Sequence, residues 1–128
     1  MNDLEGAIRA ALVEGKLSCV QAFVVAAKQR VGPIQVGQEA SRLGIRINRC
    51  QLGLFGYAEQ GEKRIVKAEA SVTESLKEAI QARLVEGRLP CLAAWEIAEK
   101  LELTKLGVAN AAEGLNLRIS DCQLGCFT

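Results

Sequence analysis

Cys19, Cys50, Cys91, Cys122 and Cys126 are the residues through which this chain would bind a soft metal or attack an electrophile. There is no histidine. That excludes the Ser–His–Asp triad, Cys–His nucleophile pairs and every histidine-containing metal site. No two cysteines form a CxxC pair, and their number is odd. The start, MNDLEGAIRA, lacks the basic-then-apolar order of a signal peptide. A secreted disulfide framework is therefore not expected, and a cytoplasmic protein is.

Four of the five cysteines form two equivalent pairs, because the chain repeats itself. Shifted by 72 positions it aligns without a gap, and 23 of the 52 positions from 4–55 against 76–127 are identical. LVEGKLSC (12–19) faces LVEGRLPC (84–91), and CQLGLFG (50–56) faces CQLGCFT (122–128). Two copies of so long a unit are a duplicated domain rather than a solenoid, which needs three or more units. The expected organisation is unit one over 1–56, a charged, Ala-containing linker over 57–70 and unit two over 71–128. Within the linker, IVK (65–67) is a candidate short strand. Units of about 55 residues bury little surface alone. The copies are expected to pack as a monomeric pseudo-dimer about a pseudo-two-fold axis, or the chain to form a homodimer.

Each unit reads as three helices. Leu4, Ala7, Ile8, Ala11 and Leu12 share one helical face, as do Leu76, Ala79, Ile80 and Leu84. SVTE (71–74) opens the second copy as a capping box. Gly15 and Gly87 suit the left-handed residue that ends a helix. The next helix starts at Ser18, where SCVQ is another box, or with Pro90 at the first helical position. Its stripe is Cys19, Ala22, Phe23 and Ala26, or Cys91, Ala94, Trp95 and Ala98. After a break at VGP (31–33) or ELT (102–104), with Thr104 a good N-cap, a third helix covers about 33–43 and 105–115. GIRINRC (44–50) and NLRISDC (116–122) then alternate with period two. Each reads as a β-hairpin returning through CQLG. Leu52 with Phe55, and Leu124 with Phe127, are expected to pin that hairpin to the helices. Gly53 and Gly125 permit a bulge or close backbone contact there. Gln51 and Gln123 either satisfy a backbone group at a domain contact or reach a ligand. The expected class is α+β, mainly α.

Three helices followed by a hairpin resemble a tandem winged helix-turn-helix protein, of the uncharacterised bacterial type with a duplicated CQLG-x-F phrase. The second and third helices carry the pattern through Val25, Ala26, Val31 and Val36, and through Ile97, Ala98, Leu101, Leu103 and Val108. The family has Gly in the turn, where this chain has Arg30 and Glu102. The resemblance implies binding of double-stranded DNA, regulatory in purpose. The third helix would enter the major groove, the wing would track phosphates, and the paired units would read half-sites about 34 Å apart. It places Gln35, Gln38, Arg42, Arg46, Asn48 and Arg49 on DNA in the first unit, and Lys105, Asn110 and Arg118 in the second. Gln and Arg are the side chains that read adenine and guanine edges or hold phosphate.

Charge weighs on the same question. Net charge is +1 overall. Residues 1–56 carry seven basic and four acidic side chains (+3), 57–70 carry three of each, and 71–128 carry six and eight (−2). The first unit should hold more of any nucleic acid. The near-neutral whole leaves open a protein-interaction module on the same scaffold, or a thiol- or metal-dependent sensor. No membrane partner is expected. No phosphate loop, dinucleotide fingerprint or paired-carboxylate site occurs, so no enzyme is expected.

For the cysteines, one reading is packing. A duplicated unit keeps Cys19, Cys50, Cys91 and Cys122 as small buried thiols. The other is that these four converge on a shared zinc or iron–sulfur centre, or act as a redox pair. The 31-residue separation inside each unit lends the second no support, so no metal or cofactor is assigned. Cys126, standing where the first unit has Leu54, is expected to be the exposed, reactive thiol.

Overall fold

The apolar spacing of residues 4–12 does produce a helix, α1 (Asp3–Ala10), with Ile8 fully buried. It belongs to a computed structural model that describes residues 3–54 and 66–126. The helix stops at Ala10 rather than near Gly15. Glu14 and Gly15 instead form a two-residue turn, both with positive φ (53° and 77°), and Val13 and Lys16 exchange two backbone hydrogen bonds across it. Positive φ at both central residues is the type I′ geometry, which Gly in second place favours. Glu86-Gly87 repeats the turn between Val85 and Arg88.

The turn feeds a strand that the local pattern did not disclose, β1 (Lys16–Ser18). Next come α2 (Cys19–Gln29), α3 (Pro33–Arg42) and β2 (Arg46–Asn48). The second half repeats the order with α4 (Glu74–Gln81), β3 (Leu89–Pro90), α5 (Cys91–Leu101), α6 (Lys105–Gly114) and β4 (Ile119–Ser120). The fold is α+β and mainly helical. No helix among the described residues is long and apolar enough to cross a membrane.

The expected hairpins do not form. β2 lies parallel to β1, with Leu17 opposite Ile47, and β4 lies parallel to β3, with Leu89 opposite Ile119. A parallel pair needs a long crossover, and α2–α3 or α5–α6 supplies it. The partner of each strand is therefore the segment before α2 or α5, not the residues after it. CQLG forms a turn instead, closed by Gly53 N–H donating to the Cys50 carbonyl and Gly125 N–H to the Cys122 carbonyl. Val66 and Lys67 of the candidate IVK strand are not strand, although Val66 packs on the second core. Ile65, Phe55 and Phe127 lie outside the described residues.

Ser18 caps α2 by accepting from Gln21 N–H (3.2 Å), Thr73 caps α4, and Thr104 caps α6 by accepting from Gly107 N–H (2.9 Å). Pro90, expected at the first helical position, is instead the N-cap of α5, one residue earlier. Arg30 and Glu102 follow α2 and α5 in the left-handed conformation, each with φ 56°. Both turns therefore have the left-handed geometry that glycine adopts most readily.

Two hydrophobic cores result, and each is completed by the other half. Ile8, Leu17, Ala22, Val25, Val36 and Ala40 surround Leu124 from the second half. Leu76, Ile80, Leu89, Ala94, Ile97 and Val108 surround Leu52 from the first. The CQLG phrases have thus changed places. Leu124 crosses over α3 at Gly37, where a Cβ would land on the Leu124 carbonyl. Burying each leucine contributes about 1.5–3 kcal/mol. Between the cores Phe23 and Trp95 stack with centroids 4.4 Å apart. These residues are equivalent in the repeat, and equivalent residues meet where a two-fold axis passes.

Candidate functional site

Two regions carry polar or reactive groups beyond what the cores need: the outer faces of α3 and α6, and the seam where the CQLG phrases cross.

On α3, Gln35, Gln38 and Arg42 lie along one exposed stripe. Gln35 is partly committed, because its Oε1 accepts from Gly32 N–H (2.7 Å) and so caps its own helix. Arg42 is exposed but held by two carboxylates. It donates to Glu39 (2.7 and 2.8 Å) and to Glu5 of α1 (3.3 Å). The hydrogen bond from Arg42 holds the Glu39 carboxyl below its ordinary range. Arg46 is exposed on β2, whereas Asn48 and Arg49 are half-buried. Arg49 follows the strand with φ 53°, and its Nε is buried without a hydrogen-bond partner among the described residues. These last residues stand beside a parallel strand pair, not on a wing.

The second half differs. Lys105 lies over the Trp95 ring, 4.6 Å from its centroid, a cation–π contact at the first residue of α6. Asn110 binds the linker. Its Oδ1 accepts from Lys67 N–H and its backbone carbonyl from Glu69 N–H, both at 2.9 Å. One turn on, a Cβ at Gly114 would meet the Glu69 carbonyl. The stripe on α6 that matches Gln38 and Arg42 is therefore covered by residues 67–69. Arg118 is exposed. Of the residues expected on DNA, Gln35, Gln38, Arg42 and Arg46 are exposed in the first half, whereas in the second Lys105 lies on Trp95 and Asn110 binds the linker.

At the seam, Cys50 enters the core that holds Cys91, and Cys122 packs against the core that holds Cys19. Cys19 and Cys91 are the first residues of α2 and α5, and Cys50 and Cys122 open the CQLG turns. Cys19, Cys50 and Cys91 are buried, Cys122 is half-buried, and no disulfide links any of the five. Each turn wraps its own sulfur in backbone donors. Cys50 Sγ accepts from the amide of Leu52 (3.4 Å). In the second phrase the backbone amides that follow Cys122 favour its thiolate form. The glutamine of each phrase reaches the helix-borne sulfur. Gln51 donates to Cys19 Sγ (3.9 Å from Nε2), and Gln123 to Cys91 Sγ (3.5 Å), each joined by its backbone amide. Positive φ at Gly53 (77°) and Gly125 (81°) is what curls the amides inward.

Electrostatics tie the group together across the two halves. Burial pushes the Cys19 thiol up to about 12, with Cys50 and Cys91 adding to the rise. Burial also raises Cys50 and Cys91, each of which senses the charge of Cys122. Cys122 moves the other way, below the ordinary thiol value, chiefly through the hydrogen bond from Cys126. Cys126 is raised in return. It is exposed, as the sequence suggests. Among the described residues no three Cys, Asp or Glu side chains crowd one point as the ligands of a single ion do.

The donor role of Gln51 and Gln123 was within reach of the sequence only as polarity inside an apolar phrase. The Glu39–Arg42 pair had an i,i+3 signal, whereas the linker contact of Asn110 had none. No family model, curated protein or solved structure matches the chain.

Proposed function

We propose that the chain binds double-stranded DNA through its first half, with a regulatory role, and that the second half serves as its packing partner. The observation that carries this reading is the joining of α2 and α3 through a left-handed turn residue, with Gln35, Gln38 and Arg42 as one exposed stripe on α3 and Arg46 exposed on β2. The +3 balance of residues 1–56 points the same way. Reading of two half-sites is not part of the proposal, because residues 67–69 cover the matching stripe of α6. The interface is then short and mainly with phosphate. Arg46 engages the backbone, and Arg42 exchanges Glu5 and Glu39 for it.

Fluorescence anisotropy of a mixed-sequence duplex, titrated at low and moderate salt, tests this. Binding should weaken steeply with salt. The pair Arg42→Ala/Arg46→Ala should flatten the salt slope by about one for each phosphate left without its arginine. Lys105→Ala/Arg118→Ala should leave it nearly unchanged. Equal losses from both pairs, or no binding at low salt, would overturn the reading.

A further inference from the structure

The two CQLG phrases part company at one chemically decisive position. The first continues with Leu54, the second with Cys126. Cys126 is exposed and Cys122 half-buried, whereas Cys19, Cys50 and Cys91 are buried. A thiol must be within reach of solvent to meet a dissolved oxidant, and buried thiols are inert. The backbone between Cys122 and Cys126 is a closed turn. Gly125 N–H donates to the Cys122 carbonyl (2.9 Å), and Gly125 takes φ 81°. Such a turn brings its first and fourth residues within about 7 Å of each other, and Cys126 is the next residue along. Helix α3 holds the turn from outside. The Leu124 carbonyl lies on Gly37, and the Ile34 side chain fills the space where a Cβ on Gly125 would stand. The first phrase shows the course of the side chain that follows this turn. Leu54 folds back onto the core that contains Cys50. The same course returns the Cys126 thiol to Cys122, with which it shares a hydrogen bond.

We infer that Cys122 and Cys126 are a redox-active pair, in which a hydroperoxide oxidises Cys122 and Cys126 then closes a disulfide across the turn. Cys122 loses its proton to solvent, and its thiolate attacks one peroxide oxygen. The O–O bond breaks, and the other oxygen takes up a proton and leaves as water, or as an alcohol from an organic hydroperoxide. Cys122 is then a sulfenic acid, which condenses readily with a neighbouring thiol. The Cys126 sulfur attacks it, the S–O bond breaks, and the departing hydroxide takes the Cys126 proton and leaves as water. Two thiols have given up two electrons and two protons, and the peroxide has been reduced by the same two electrons. A dithiol reductant restores both cysteines by exchange. The first half has no such pair, because Cys50 is buried and Leu54 stands where the second sulfur would be.

The test is a thiol count on the full chain. Reduced protein is treated with a small excess of hydrogen peroxide and the excess is removed. The chain is then unfolded, its free thiols are labelled with a maleimide, and peptide masses locate them. The five thiols should fall to three, with one disulfide inside the peptide that carries Cys122 and Cys126, and dithiothreitol should restore all five. Cys126→Ser should stop the reaction at the Cys122 sulfenic acid, which dimedone captures. Cys122→Ser should leave its four remaining thiols free over the same time. Cys122→Ala guards against misfolding from a half-buried hydroxyl, and far-ultraviolet circular dichroism checks that each variant retains its helices. Five free thiols in the treated parent protein would overturn the pair. So would a disulfide from Cys126 to another cysteine or another chain, or a loss of thiols in a folded Cys122→Ala variant as fast as in the parent.

Discussion

Arg30 and Glu102 occupy the one backbone conformation that L side chains pay for, at φ 56° in each half. Left-handed geometry costs a residue with a Cβ roughly 1–2 kcal/mol, and glycine escapes most of it. Both side chains are exposed, so removing them leaves the packing intact. Glu102→Gly should therefore raise stability by about 0.5–1 kcal/mol, after the added freedom of glycine in the unfolded chain is subtracted. A urea midpoint shifted upward with unchanged slope would bear this out, and a downward shift would mean that the Glu102 side chain stabilises the turn. The residue scale also shows what reading by type can reach. Ser18, Thr73 and Thr104 are legible as caps because a hydroxyl before an apolar periodic run has one local use. Cys19 and Cys50 are not legible as neighbours, because 31 residues and a crossover helix pair separate them.

At the scale of elements, helices are read well and strands are not. The 3.6-residue spacing of Leu4, Ile8 and Ala11, or of Cys19, Ala22 and Ala26, reports a face that any apolar surface will bury. KLS (16–18) is three residues long and carries no period at all. It becomes a strand only because RIN (46–48) returns beside it after two helices. The alternation in GIRINRC correctly marks a strand but says nothing of its partner, and the nearest segment in sequence was the wrong one. Gly37 shows how such long-range contact is enforced. Its missing Cβ is the space through which the Leu124 backbone passes over α3. The counterpart on α6 is Ala109, so the two crossings are not identical. Gly37→Ala should displace the second CQLG turn from the first half while leaving α3 helical, since alanine favours the helix by roughly 1 kcal/mol. Near-ultraviolet circular dichroism of Trp95 and the exchange rates of amides 122–126 would register the displacement. Unchanged exchange there would show that α3 can shift to admit the methyl group.

Across the whole molecule, the duplicated sequence hides its own assembly. Leu52 and Leu124 are the same residue in the same phrase, so periodicity identifies both as core residues without saying which core receives them. A unit that closes on itself and a pair that exchange their ends have identical sequences, which is the ambiguity that domain swapping exploits. Here the exchange makes each core depend on the other half, and the cysteine seam exists only because the phrases cross. Leu124→Ala should cost about 2–5 kcal/mol, as the loss of a fully enclosed leucine does. The informative quantity is where the loss is felt. Leu124 belongs to the second half by sequence but packs among Ile8, Leu17 and Val36. Native-state hydrogen exchange should therefore speed up first in α1 and α2, while α4 and α5 keep more of their protection. Leu52→Ala should give the mirror result, loosening α4 and α5 around Leu76 and Ile80. If each variant instead loosened the half that carries it in sequence, the phrases would be folding back on their own units, and Leu52 and Leu124 would not have changed cores.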